Sequence, residues 1–464
     1  MKRKILFICC FLIFQNLFCQ SYLESLWEQS EINSKELKLA KLEYENAFLD
    51  YQARYAVFIP SFFISTNYDF LKLDSPIDLN KYPLKYYFNF GLEWEIPGGT
   101  TISSSLTYEM DRHILNSLEE LSVDNSGYNQ NPVLSVNINQ SLLPFYFQGK
   151  AKNPAIQSYV NQLRSANNSY LSTVAGVKIS VVDLFIQLRK LLRNEQILTN
   201  QIKLQSIICE SAFVKLEQGS LTQVDYWNYE SSLIEYENNL FENKMQLEQI
   251  KKELELICGE IDYSLINNEL PESNIKLLSK DMTLESLQIQ MEELDNNLIL
   301  TRQNYAPSLI LGGSYSYDLE AQKVQELKQA WSTNGEKKWT VTIGLQISPK
   351  NITQINKSKA IYKNNVNNLE EQKNIYLINK TEQIQNYKKI ILYYEQVQNQ
   401  KEQNVKKQKT YLEAIQDKYK RGLCSDLDLL QAQLIFENTV SDLDNIKDAL
   451  WYNRFQLSQM EDVK

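Results

Sequence analysis

The most patterned residues that could do chemistry are carboxylates placed just after two glycines. Lys215-Leu-Glu-Gln-Gly219-Ser-Leu-Thr222-Gln-Val-Asp225 and Lys418-Tyr-Lys-Arg-Gly422-Leu-Cys-Ser425-Asp-Leu-Asp428 share one spacing. Gly219 and Gly422 stand 203 residues apart (422 − 219), as do Thr222 and Ser425, and Asp225 and Asp428. Such acids can repel anions, attract cations or stabilise a helix start, the last worth about 0.3–1 kcal/mol. None of these roles makes or breaks a bond. A single histidine, His113, argues against a multi-histidine metal site and against histidine-dependent acid–base work. It falls in a polar stretch between predicted strands and reads as a loop residue. Of six cysteines, Cys9, Cys10 and Cys19 lie in or at the end of an N-terminal apolar segment. Cys209, Cys258 and Cys424 are far apart, without CxxC spacing, and are expected to be unpaired helix residues. The chain shows no nucleophile–base pair and no phosphate loop, so neither an enzyme nor a cofactor is expected.

The elements that must position these acids follow from the same motifs. Each segment ends a helix at a glycine and restarts one with a Thr or Ser N-cap and an acid in the first turn. Gly219, Thr222, Gly422 and Ser425 are therefore read as tight helix–turn–helix tips. Downstream of the first, Tyr226, Tyr229, Leu233, Tyr236, Leu240, Asn243, Leu247, Ile250, Leu254 and Ile257 alternate at steps of three and four. Adding 203 gives Leu429, Ala432, Phe436, Thr439, Leu443, Ile446, Leu450, Asn453, Leu457 and Met460, the same a/d seam. Upstream, residues 150–218 contain Pro154 as their only proline and residues 351–421 contain none. About 70 residues at about 1.5 Å each make helices on the order of 100 Å long.

Between the helices the period changes to two. Phe62, Ile64, Tyr68 and Phe70 alternate with Ser65, Asn67 and Asp69, and Tyr86, Phe88, Phe90, Leu92, Trp94 and Ile96 with Asn89, Gly91, Glu93 and Glu95. Ile102, Leu106 and Tyr108 alternate with Ser103, Ser105, Thr107 and Glu109, and Leu134, Val136 and Ile138 with Ser135, Asn137 and Asn139. In the second half Leu309, Leu311, Tyr315 and Tyr317 stand against Ser314, Ser316 and Asp318. Trp339, Val341, Ile343, Leu345 and Ile347 stand against Thr340, Thr342, Gly344, Gln346 and Ser348. Aromatic-rich apolar faces backed by short polar ones fit strands of a membrane barrel, although a half-buried soluble sheet has the same period. Four to six strands cannot enclose an aqueous lumen, and open edges are forbidden in lipid. Strands that enter a bilayer must then be completed by further copies of the chain.

Composition agrees. The 464 residues hold only 13 glycines and 10 prolines, which suits long helices, and 28 tyrosines, which suit wet–apolar boundaries. A net charge of −9 leaves no basic stripe for nucleic acid. Lys2-Arg3-Lys4 followed by the apolar run from Ile5 to Phe18 reads as an export signal cleaved near Cys19, with a lipidated Cys19 or a retained anchor as alternatives. No 18-residue apolar stretch is expected beyond that signal, so any membrane crossing falls to the strands. The organisation expected is a signal peptide over 1–19, a first repeat over 20–258 with strands at about 61–140 and a tip at about 219–222, and a linker over 259–281. A second repeat over 282–464 follows, with strands at about 308–348 and a tip at about 422–425. The fold class expected is mainly α with membrane β: long antiparallel coiled-coil helices in two structural repeats, plus short strands contributed to a transmembrane β-barrel shared between copies, which the resemblance described next makes trimeric.

These motifs, in order and duplicated, resemble the TolC-type outer-membrane efflux family over essentially the whole mature chain. Besides both tips, Ile59-Pro60-Ser61 and Ala306-Pro307-Ser308 resemble its passages from helix to strand. Ser141-Leu142-Leu143-Pro144 and Gln346-Ile347-Ser348-Pro349 resemble its strand exits. The resemblance implies a homotrimer in outer-membrane lipid, a periplasmic tunnel, a periplasmic membrane-fusion adaptor docked at the tips, and an inner-membrane transporter of RND, ABC or MFS type. It implies a gate at Asp428, with Asp225 as its first-half counterpart. Where the family's best-known gate has a second acid one turn later this chain has Gln431, and Asp426 offers partial compensation. The hairpin over Tyr86–Glu95 and Thr100–Glu109 exceeds the family's two strands per repeat, and its place inside or outside a barrel is open at this point. A periplasmic coiled-coil adaptor or interaction protein without a membrane barrel would share the helical seam and is the alternative reading.

Overall fold

The computed structural model describes residues 21–69, 84–96, 100–112, 128–143, 154–266, 269–305, 308–318, 336–346 and 349–461. The signal segment 1–19, Cys19, Phe70, His113, Ile347 and Ser348 lie outside them. The helices are α1 (Tyr22–Asn33), α2 (Lys35–Gln52), α3 (Pro154–Glu217), α4 (Gln223–Cys258), α5 (Met282–Tyr305), α6 (Pro349–Lys420) and α7 (Asp426–Met460). The strands are β1 (Ser61–Asp69), β2 (Leu84–Ile96), β3 (Thr100–Arg112) and β4 (Tyr128–Leu143), then β5 (Ser308–Asp318) and β6 (Glu336–Gln346) after α5. At 64 and 72 residues, α3 and α6 have the uninterrupted length that the absence of internal proline permits. α3 starts at Pro154 itself, because a proline at the first helical position loses no hydrogen bond.

The chain divides into two compact units, each drawing on both halves of the sequence. One unit joins residues 1–44, 166–286 and 371–464, and its described residues are helical apart from loops. Its core gathers Leu23, Leu26 and Trp27 of α1, Val181, Val182, Phe185 and Leu188 of α3, Leu247, Leu254 and Cys258 of α4, and Phe455 of α7. Ile266, from the connection between the halves, completes it. That connection is fastened to α7: the Trp451 indole donates to Pro271 O at 2.5 Å, and the Gln459 amide donates to Ile275 O at 2.7 Å.

The predicted seams are the shielded faces of α4 and α7. In α4, Asn243, Leu247 and Leu254 are buried while positions between them face solvent. In α7, Ala432, Thr439, Leu443 and Leu450 are buried, and a second heptad stripe of Leu434, Ser441, Asp448 and Phe455 is buried as well. Its counterparts 203 residues earlier, Ser231, Asn238, Met245 and Lys252, are exposed. α7 packs on two sides and α4 on one.

The second stripe of α7 meets α3 through a buried ion cluster. Asp448 Oδ2 accepts from Arg189 Nε at 3.0 Å and from Arg193 Nη2 at 2.6 Å. Arg189 also donates to Ile266 O at 2.7 Å, and Arg193 to Asn445 Oδ1 at 2.7 Å. One carboxylate therefore answers two guanidinium groups, and a carbonyl oxygen accepts one further donor from each.

One expectation is corrected here. α3 contains an 18-residue window with mean hydropathy 1.6, long and apolar enough to cross a membrane by length and composition. Its Val181, Val182, Phe185 and Leu188 are instead buried in the helical core. A second correction concerns Cys424, which lies in the turn between α6 and α7 rather than in a helix; Cys209, Cys258 and Cys424 are all free thiols.

The other unit, residues 45–165 and 287–370, carries the sheet. Its six strands are antiparallel neighbours in the order β1-β2-β3-β4-β5-β6. The β4–β5 ladder, Leu134 opposite Tyr317 through Asn139 opposite Gly312, unites strands from the two halves of the sequence. Replacing Asp448 by Ala strands two buried guanidinium groups and should cost about 3–5 kcal/mol. A lowered midpoint in detergent thermal denaturation, with Asp442→Ala at an exposed position as control, is the expected result.

Candidate functional site

Two places in this fold can act on something outside the chain: the faces of the sheet and the helical tips. Register decides the first. Phe62, Leu92, Ser104, Val136, Tyr315 and Trp339 form one continuous cross-strand row. The parallel row Trp94, Ile102, Ile138, Gly313 and Val341 lies on the same face. So does Ile64, Phe90, Leu106, Leu134 and Tyr317. The opposite face reads Ser61, Glu93, Ser103, Asn137, Ser314 and Thr340, and Ser65, Asn89 and Thr107. Apart from a register shift between Ser141 and Leu143 at the end of β4, every strand keeps its phase, so the period-two alternation of each segment adds into one apolar face and one polar face.

The apolar face is uncovered. On β6, Trp339 is 78 %, Val341 77 % and Ile343 75 % exposed, and on β1 Phe62 and Ile64 are each 68 % exposed. A contiguous apolar surface of this kind, left in water, forfeits about 25 cal/mol for each Å² that could be buried. The polar face is built of short side chains that bond along it. Ser105 Oγ lies 2.7 Å from Ser135 Oγ, and the Thr107 hydroxyl donates to Asn89 Oδ1 at 3.4 Å. Phe63, Val133 and Ile310 are apolar residues on it, and Gly91 makes room for the first: a Cβ there would overlap the Phe63 ring. Trp94 anchors the opposite face at one end of the sheet, its indole donating to Phe58 O at 2.9 Å.

The tips are two copies of one device. Gly219 and Gly422 both have φ +71°, the left-handed region in which a Cβ is strained. Gly219 N–H donates to Leu216 O and Ser220 N–H to Lys215 O, both at 2.9 Å. Gly422 N–H donates to Tyr419 O at 2.8 Å and Leu423 N–H to Lys418 O at 2.9 Å. These are paired Schellman closures. Thr222 and Ser425 then cap the next helix, each hydroxyl accepting from the N–H of Asp225 or Asp428 at 3.2 Å.

The aspartates differ. Asp428 Oδ2 accepts from Ser425 N–H at 2.9 Å and from Ser425 Oγ at 2.7 Å, closing a reciprocal capping box. Asp225 Oδ2 accepts from Thr222 Oγ1 at 2.6 Å. The Ser425 hydrogen bonds, side chain first and backbone second, hold the Asp428 carboxyl below its usual 3.8. Asp426 instead takes a hydrogen bond from the Tyr419 hydroxyl, which with the aspartate's charge pushes that phenol up. Sequence reasoning placed all three acids at the tips but missed the Tyr419 partner, which sits seven residues away across the turn.

The helical unit brings both tips to one end. Arg189 meets Asp448, Arg193 meets Asn445 and Asp448, and Asn200 Nδ2 donates to Glu437 Oε2 at 2.6 Å. Eleven residues forward along α3 (189 to 200) match eleven backward along α7 (448 to 437), so α3 runs toward its tip alongside a helix running away from its own.

Because its carboxyl is depressed, Asp428 should keep its cap intact through neutral pH and past the usual carboxylate value, losing it only as pH falls through the folded-state value. Gly422→Ala should cost about 1 kcal/mol through its positive φ, and Ser425→Ala about 1 kcal/mol through loss of the cap. Amide exchange at residues 420–430 should rise in both variants.

No family profile matches the chain, and no curated protein matches it in sequence. Solved structures match it over nearly its whole length. The outer membrane protein VceC of Vibrio cholerae aligns at 15 % identity and TM-score 0.58, covering 94 % of this chain and 96 % of that one. The outer membrane channel CmeC of Campylobacter jejuni aligns at 15 % identity and TM-score 0.59, covering 95 % and 87 %. CusC, a protein studied for transmembrane channel formation, aligns at 13 % identity and TM-score 0.59, covering 95 % and 92 %. With long helices in antiparallel hairpins and a six-stranded two-faced sheet shared by both halves, the chain has the fold of the TolC-type outer-membrane channels.

Proposed function

We propose that the chain is one of three identical subunits of an outer-membrane efflux or secretion channel, its strands forming a common barrel and its helices a periplasmic tunnel. The observation that carries this reading is the sheet, with an uncovered apolar face, a polar face of short side chains and two open edges. Hydrocarbon is the environment in which that apolar face costs nothing, and water in a lumen is the environment that suits the other. Open edges have no place in lipid, so β1 and β6 need partners, which further copies supply. Residues 1–19 would direct export. The halves over 20–258 and 282–464, joined by 259–281, would each give one helical hairpin to the tunnel.

At the tips, Gly219, Thr222, Gly422 and Ser425 shape the end to which a periplasmic membrane-fusion adaptor would dock, with an inner-membrane transporter of RND, ABC or MFS type beyond it. Asp428, Asp426 and Asp225 would supply the negative charge of a constriction. Ser425 favours that role for Asp428, because its two hydrogen bonds oppose the repulsion that like charges around an axis would impose on ionisation. Transport itself would be passive passage through water, opened by partner binding.

Detergent extraction from outer membranes should yield a trimer, and planar bilayers should show cation-preferring conductance. Asp428→Ala should give a leakier, less cation-selective channel, while Ser425→Ala, which loosens the cap but keeps the acid, should retain the selectivity. Unchanged conductance and selectivity in Asp428→Ala would remove that residue from the gate. A salt-washable monomer would remove the channel reading altogether.

A further inference from the structure

The β2–β3 hairpin is inserted between β1 and β4 without disturbing either face. All thirteen residues of β3 are in register with β2 on one side and with β4 on the other. An appendage folded against the outside of a wall would lack that second neighbour. The insert also conserves phase: Asp69, Lys85, Asp111 and Asn129 form a single row, so the chain leaves β1 and reaches β4 at the same level of the sheet. β1 and β4 run in opposite directions, because strands alternate along β1-β2-β3-β4. Phe62 and Val136 share the apolar face, so the two outer strands would also match if they were direct neighbours.

The polar face runs across the insert. Ser103, Ser105 and Thr107 continue the rows of β4, with Ser105 against Ser135 and the Thr107 hydroxyl donating to Asn89 Oδ1 at 3.4 Å. At 13 residues each, β2 and β3 exceed the span of about 9–11 residues that a tilted strand needs to cross hydrocarbon.

We propose that this hairpin is a pair of full staves in the barrel wall, a gauge element that sets a wider bore than two strands per repeat would give. The inference rests on the trimeric channel reading above. Three copies of six strands make eighteen, against twelve without the hairpin. With strands about 4.8 Å apart and tilted about 40°, backbone diameters are about 36 Å and about 24 Å. On the hairpin the lumenal side carries Asn89, Gly91, Thr101, Ser103, Ser105 and Thr107 beside the larger Tyr87, Glu93 and Glu95, too little side-chain volume to refill the added space. A barrel of that strand number leaves an open aqueous channel. The chemical class admitted is then bulky hydrophilic solute, with selection left to the constriction at the tips rather than to the barrel.

Electron cryomicroscopy of the full chain in lipid nanodiscs should count eighteen strands. Replacing residues 70–127 by a short Gly-Ser linker should give a trimer with twelve, and polyethylene glycols added on the barrel side should be excluded from it at smaller size. A full-length trimer with a twelve-stranded wall and residues 84–112 outside it overturns the proposal while leaving the channel standing. A protein that forms no membrane ring overturns both.

If the excised variant does not fold, cysteine labelling of the full chain on a Cys424→Ser background decides the same point. A membrane-impermeant sulfonate reagent should modify Ser103→Cys, Ser105→Cys and Thr107→Cys several times faster than Ile102→Cys, Leu106→Cys and Tyr108→Cys. Equal rates for the two sets place the hairpin outside the wall.

Discussion

Backbone N–H and C=O groups on the outer edges of β1 and β6 are the constraint from which the rest follows. A sheet can satisfy its interior ladders alone, but never its two margins. Water can satisfy them for a soluble sheet; it cannot also accommodate Trp339, Val341 and Ile343 at three-quarters exposure beside them. The same strands that expose an apolar face therefore carry the edges that hydrocarbon forbids. The proposed closure through copies of the chain would resolve both conflicts at once, and alternating strand direction would let β6 of one copy meet β1 of the next antiparallel.

The helical unit meets a different demand. Two hairpins with the same seam pattern must pack into a single body, and identical hairpins would bury identical faces. They do not. α7 carries a second stripe, Leu434, Ser441, Asp448 and Phe455, where α4 has Ser231, Asn238, Met245 and Lys252. Asp448 is the member of that stripe that needs a partner of opposite charge, and Arg189 and Arg193, one turn apart on α3, supply two. A buried pair of this type adds little net stability over an apolar substitute, but it penalises every helix register that leaves a charge alone.

At the tips, structure and proposed function draw on the same atoms. Asp428 closes a capping box, and the hydrogen bonds that do so also keep it ionised. Structural and gating roles are thus coupled: a residue that holds the helix start is the one whose charge is proposed to face the axis. Asp426, tied to Tyr419 across the turn, is a second acid whose position depends on the closure at Gly422.

Much of this was legible in the order of residues. Helix and strand follow from periods of 3.5 and 2, which local side-chain geometry imposes. The tips follow from glycine, N-cap and acid at fixed offsets, because the closing and capping hydrogen bonds there span five residues or fewer. The apolar and polar faces could be written down strand by strand for the same reason. The ladder joining β4 to β5, the place of the β2–β3 hairpin inside the sheet, the second stripe of α7 and the pairing of Asp448 with arginines more than 250 residues away were decided only by the tertiary structure. Alternation states which face a residue takes but not which strand lies beside it. A charged residue in a heptad says that it needs a partner, and only the packing of distant helices determines which one it finds.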